Sequence, residues 1–122
     1  GNFGGEDCDL YINIKVKNDE HFTRDKSDLY VDLPITITEA ALGTKIEVPT
    51  KDGRITLKIP QGTQGGQKFR LKGKGCWDLK SQTQGDQYVT VNIAVPKTIT
   101  KDLKELLENL EKKSNLNPRK NL

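Results

Sequence analysis

The segment "TKIEVPTKDGRITLKIP", Thr44 to Pro60, constrains the fold of this 122-residue chain more than any other. Apolar residues recur at every second position on both sides of Asp52-Gly53. A period of two places Ile46 and Val48 on one face of a strand and Ile55, Leu57 and Ile59 on one face of the next. Asp-Gly tolerates the positive φ that a tight connection demands, so the two strands should close into a hairpin. A helix would need its apolar positions three and four apart, which this stretch lacks.

Other segments repeat the alternation. "LYINIKV" puts Leu10, Ile12, Ile14 and Val16 on one face. "LYVDLPITI" does the same with Leu29, Val31, Leu33, Ile35 and Ile37, and Pro34 removes a backbone donor there, favouring a sheet edge or a bulge. "KFRLK" aims Phe69 and Leu71 one way. "DQYVTVNIAV" is expected to turn Val89, Val91, Ile93 and Val95 inward. Between strands, Thr38 is a candidate cap for one helical turn, Glu39 to Leu42, which Gly43 would end. Gly-rich "PQGTQGGQ" and the long "GKGCWDLKSQTQG" read as connections. The one substantial helix follows Pro96: Thr100 caps it, Asp102 suits its positive start, and Leu103, Leu106, Leu107 and Leu110 form a stripe. Such a stripe can cover its own sheet or meet a second copy.

One pattern occurs twice. "CDLYINIKVKN" and "GDQYVTVNIAVPK" share Asp-x-Tyr followed by alternating Ile and Val, with Asp9 and Asp86 standing 77 residues apart. A spacing of one small domain suggests that residues 9–16 are the last strand of a preceding, similar domain. The chain begins without Met and contains none, as expected of a piece of a longer protein.

Composition narrows the functional classes. Twenty Lys and Arg against seventeen Asp and Glu leave a net charge of +3, too balanced to argue for a dedicated nucleic-acid binder. A basic ridge of Lys68, Arg70, Lys72 and Lys74 nevertheless makes a nucleic-acid-binding β module the alternative reading. No apolar run reaches the roughly 20 residues that span a bilayer. Cys8 and Cys76 form no CxxC pair, which excludes a zinc ribbon and leaves open one disulfide. The single histidine, His21, has no nucleophile patterned around it, and "GTQGGQKFRLKGKG" lacks the order of a phosphate-binding loop. The expectation is a protein that is not an enzyme and uses neither cofactor nor metal.

Together, "DLYVDLPITITEAALGTKIEVPTKDGRITLKIPQGTQGGQKFRLKGKG" and "GDQYVTVNIAVPKTIT" closely resemble the second carboxy-terminal domain of DnaJ-type co-chaperones, over roughly Phe22 to Leu110. The resemblance implies a mainly β fold: a small two-layer β-sandwich with one short internal helix and a C-terminal dimerisation helix. It divides the chain into a strand and link from a preceding β domain (1–21), the second β domain (22–99), the dimerisation helix (100–113) and a tail (114–122). Two departures stand out. The link reads Lys17-Asn18-Asp19-Glu20-His21-Phe22 where the family usually has Lys-Pro-His-Pro-x-Phe, and the loop after Gly75 lacks the usual proline.

The resemblance also implies function. Such proteins hold non-native polypeptide on two β domains, pair through a terminal helix, and assist a DnaK-type chaperone through a J domain whose His-Pro-Asp triplet does not occur here. The family's heat-shock and folding role implies a cytoplasmic or organellar setting without membrane association. Carried over by strand position, client-binding candidates are Val31, Leu33, Ile46, Val48 and Val89, with Ile12 a remnant of the first domain's groove. All six share the expected core face, so packing is the competing reading. The dimerisation candidates are Leu103, Leu106, Leu107 and Leu110. Members with a zinc-binding insert carry it outside the matched segment, which leaves the subclass open.

Overall fold

The computed structural model describes residues 22–25 and 27–122. The strand expected over 10–16, with Ile12 and the first copy of the repeat, lies outside these residues, as do Cys8 and His21. Eight strands and two helices follow in the order β1 (Phe22–Asp25), β2 (Asp28–Thr36), α1 (Ile37–Leu42), β3 (Thr44–Thr50), β4 (Gly53–Ile59), β5 (Lys68–Leu71), β6 (Trp77–Asp78), β7 (Thr83–Gln84), β8 (Gln87–Ala94) and α2 (Lys101–Ser114).

The hairpin forms in the expected register, with Ile46 opposite Leu57 and Val48 opposite Ile55. Lys51 and Asp52 make the turn, and its positive φ falls on Gly53 (109°), which no β-carbon hinders. Thr50 supports the turn by accepting the Asp52 N–H at 3.2 Å.

The larger sheet has the order β1-β2-β8-β5. Its central pair is parallel, from Leu29 opposite Gln87 to Thr36 opposite Ala94. β1 and β5 flank it in antiparallel fashion. β1 pairs only with Asp28 to Val31, so the second half of β2 is an edge among the described residues, and Pro34 sits in that half. This agrees with the expectation from the proline's missing donor.

One apolar cluster joins the two layers. Leu29, Val31 and Ile35 of β2 and Val89 and Val91 of β8 meet Val48, Leu57 and Ile59 of the hairpin, with Ala40 of α1 and Cys76 at its margins. Each fully buried aliphatic side chain contributes about 1.5–3 kcal/mol to this stacking. Gln87 adds a polar tie across the layers: its Nε2 donates to the Pro49 carbonyl at 3.0 Å. The fold is therefore mainly β, a sheet and a hairpin packed face to face, with short helical additions.

Local expectations need correction at three places. α1 starts two residues early because Thr36, rather than Thr38, caps it: Thr36 Oγ1 accepts the Glu39 N–H at 3.0 Å and Glu39 Oε1 accepts the Thr36 N–H at 2.9 Å. The loop after Gly75 contains a small hairpin, β6 and β7, closed by a turn in which the Asp78 carboxylate accepts from Lys80 N–H and Ser81 Oγ. Ile93 and Val95, expected inward, are 37% and 66% exposed, because the core cluster's members on the last strand are Val89 and Val91 and it does not extend to them. Cys76 is buried and disulfide-bonded to a partner outside the described residues.

Candidate functional site

The client-binding candidates separate into two groups. Val31, Val48 and Val89 are buried members of the cluster between the layers, where a visiting polypeptide has no access without opening the sandwich. Leu33 and Ile46 are only partly buried and pack at the cluster's edge. Leu33 also lies in the half of β2 that β1 leaves uncovered. The apolar contact that this face offers to a ligand is thus a narrow margin rather than the whole expected stripe.

The terminal helix presents more apolar surface. Thr100 caps α2 by accepting the Leu103 N–H at 3.2 Å, and Asn115, in the left-handed conformation (φ 54°), ends it. Leu103 and Leu107 are half-buried, whereas Leu106 and Leu110 are 65% and 49% exposed. All four leucines line one cleft of about 360 Å³, closed on its other side by Thr36, Ile37 and Thr38 before and within α1 and by Ala94 and Pro96 beyond the core of β8. The stripe therefore leans on its own domain yet is not covered by it.

The basic ridge does not survive as a continuous feature. β5 ends at Leu71, a turn follows, and two of the four cations meet carboxylates: Arg70 Nη2 lies 2.6 Å from Asp86 Oδ2, and Lys74 Nζ lies 3.6 Å from Asp52. The Arg70–Asp86 pair belongs to a structural hub. Asp86 Oδ2 also accepts from Arg70 Nε at 2.7 Å, and Oδ1 accepts from the Gly73 N–H at 2.8 Å. The Asp86 N–H donates to Asp28 Oδ1, and its carbonyl accepts from the Leu29 N–H, both at 2.9 Å.

Chiefly the Gly73 N–H, then the Arg70 hydrogen bonds and charge, hold the Asp86 carboxyl below the usual carboxylate range against the opposing effect of burial. Beside it, Gly85 passes so close to Ser27 that a β-carbon there would collide with the Ser27 backbone. The "GD" before the last strand is thus an architectural joint between the β1–β2 turn, the loop after β5 and the start of β8.

Sequence reasoning missed this joint, although Asp86 was visible in the repeat, because its partners Asp28, Leu29, Arg70 and Gly73 come from two segments distant in sequence. It also missed the Tyr30–Tyr88 stack on the outer face of the sheet, with ring centroids 5.3 Å apart. The signal existed, since both tyrosines hold the same place in an alternating run, but the parallel register that aligns them was not legible. Among the described residues, no cluster of three His, Cys, Asp or Glu side chains is arranged to hold a metal. No described helix is long and apolar enough to cross a membrane.

The described residues thus form a two-layer β domain with an apolar margin and a partly exposed leucine helix. Residues 1–96 match the family model described as the DnaJ C terminal domain, and the chain belongs to that family. It is 51% identical over 104 residues to "Chaperone protein DnaJ" of Ruminiclostridium cellulolyticum, covering 85% of this chain and 27% of the relative. It is 45% identical over 104 residues to the protein of the same name from Bacillus licheniformis, covering 85% and 28%. The protein of that name from Halalkalibacterium halodurans is 46% identical over 115 residues, covering 94% and 31%. The chain thus spans under a third of the length of these relatives and corresponds to part of a DnaJ-type chaperone.

Proposed function

We propose that this segment joins two copies of its parent through α2 and holds non-native polypeptide weakly on its β domain, while the parent assists a DnaK-type chaperone in protein folding. The observation that carries the proposal is the cleft under α2. Four leucines of one helix line it, two of them about half or more exposed, and Ile37, Ala94 and Pro96 stand in the facing wall beside Thr36 and Thr38. A second copy bringing the same helix would bury both stripes at once, because a two-fold interface uses the same patch on each side. Two weak polypeptide-binding surfaces tethered in this way gain apparent affinity through effective concentration while each still releases readily.

For the client, Leu33 and Ile46 are the accessible members of the candidate set, and Val31, Val48 and Val89 serve the core. A cytoplasmic setting and the partnership with a DnaK-type chaperone rest on the family relationship.

Sedimentation equilibrium of the wild type and of a Leu106→Glu, Leu110→Glu variant tests the dimer. A wild-type dimer at tens of micromolar and a folded monomeric variant are expected; equal masses for both would overturn the helix assignment. Photo-crosslinkers at Leu33 and Ile46 should capture a reduced, carboxymethylated protein, and failure to capture it would remove this surface from the account.

A further inference from the structure

The loop from β5 to β8 changes character at one residue. Cys76 is fully buried, whereas Trp77 and Leu79, which follow it, are 37% and 57% exposed. The Cys76 N–H donates to the Ser27 carbonyl at 2.6 Å, and its own carbonyl accepts from the Gly85 N–H at 2.7 Å. A β-carbon added to Gly75 would lie only 2.5 Å from the Ser27 carbonyl oxygen and the Asp86 nitrogen, so the backbone before the cysteine is seated as tightly. The sulfur is therefore held at the joint around Asp86, and a partner must be brought to it. Cys76 is disulfide-bonded, and the sequence contains one other cysteine, Cys8. Between these two residues lie β1 to β5.

Trp77 and Leu79 stand on a braced support. Trp77 pairs with Gln84 in the β6–β7 hairpin, and Gln84 Nε2 donates to the Gly75 carbonyl. The turn closes on the Asp78 carboxylate and through a 2.6 Å hydrogen bond between the Ser81 and Thr83 hydroxyls. An exposed tryptophan beside an exposed leucine on such a support makes an apolar contact surface. The covalent bond selects its occupant. A disulfide holds its two α-carbons about 4.4–6.8 Å apart, so the residues next to Cys8 come within a side chain's reach of Trp77. Those residues, in "CDLYINIKV", open the alternating apolar run that the repeat marks as the last strand of a preceding domain.

We propose that Cys8 and Cys76 form a redox-controlled clamp that seats the end of the preceding β domain on the β6–β7 hairpin at Trp77 and Leu79. The inference rests on the repeat's reading of residues 9–16 and is independent of polypeptide binding. The link from Lys17 to His21 contains no proline, the residue that most restricts a linker's backbone, so its composition does not fix the angle between the domains. The closed disulfide supplies that constraint, and its reduction removes it. Closure takes two electrons and two protons from the thiols. With oxidised glutathione, one cysteine thiolate attacks a sulfur and expels a glutathione thiolate. The second cysteine thiolate then displaces the other glutathione, and the two released thiolates take up the protons. Excess reduced glutathione runs the exchange backwards. In a compartment kept reducing, the clamp closes under oxidative conditions.

Trp77 is the single tryptophan of the chain and so reports on its own cover. The full chain is equilibrated with oxidised or reduced glutathione, alkylated, and digested with trypsin without further reduction, after covalent dimers are removed on a denaturing column. Residues 1–15 should be found linked to residues 75–80 under oxidising conditions and separately alkylated under reducing ones. Acrylamide should quench Trp77 less in the oxidised chain than in the reduced chain, and oxidation should raise Tm by roughly 10 °C. Cys8→Ser should match the reduced chain in either buffer; should that variant fold poorly, the oxidised and reduced wild type decide the matter between them. The proposal is overturned if both cysteines stay as thiols in oxidised glutathione, if the bond joins only separate chains, or if it persists in excess reduced glutathione. Equal quenching of Trp77 in the linked and reduced chains would overturn the seat on the hairpin. None of these results bears on the sedimentation and crosslinking tests of the proposed function, which are read in reducing buffer.

Discussion

The two ends of β8 lie only a few residues apart, yet they solve opposite problems. At its start, Asp86 and Gln87 are buried, hydrogen bonds tie them to Asp28, Arg70, Gly73 and Pro49, and Gly85 is pressed against Ser27 too closely for any side chain. At its finish, Ile93 and Val95 are exposed. The difference teaches that in this domain a polar cluster with a lowered carboxylate pKa marks architecture, whereas the exposed end of the same strand is made of aliphatic residues.

Substitutions at the start of β8 should be the most damaging. Gly85→Ala forces a methyl group into the Ser27 backbone and should cost about 3 kcal/mol or prevent folding, measured by urea denaturation. A stability within 1 kcal/mol of wild type, as an order of magnitude, would mean that the joint is looser than described. Asp86→Asn comes next. Losing charge-assisted bonds to Arg70 while keeping the side chain's shape should lower Tm by roughly 5–10 °C.

The same variant sharpens the pH dependence. Because the folded-state carboxyl of Asp86 titrates below its ordinary value, its contribution is fully present above the unfolded-state pKa of about 3.9 and is lost as pH falls through the lower folded value. Below about pH 4 the wild type should therefore lose stability more steeply than Asp86→Asn, and parallel acid limbs would contradict the assignment. The smallest effect is expected away from β8. Thr36→Ala removes the capping box of α1 and should cost about 1 kcal/mol, read by urea denaturation.

How much of this was legible beforehand depended on how local the cause was. The hairpin register followed from Asp52-Gly53 and its flanking alternation, and Pro34 announced an edge through its missing donor. The terminal helix and its cap at Thr100 were written in the spacing of four leucines. The α1 cap was misplaced although Thr36 and Glu39 have the three-residue spacing of a capping box, because Thr38 stood nearer the expected helix. Alternation says which side of a strand is apolar, not how far the opposing layer extends. That is why Val31, Val48 and Val89 could be read as a groove and prove to be core, and why Ile93 and Val95 were expected inward. The family was evident because many short motifs coincided, but the joint at Asp86 depended on residues brought together only by folding.

The contrast between the two ends of β8 is tested most directly by native-state hydrogen exchange of the free chain, followed amide by amide. Val89 and Val91, paired with β5 and Gln67 and covered by the core, should exchange only through opening of the whole domain. Ile93 should exchange faster by about two orders of magnitude or more, through fluctuations that leave the rest folded. Equal protection along β8 would show that its far end is closed in solution and would contradict the account.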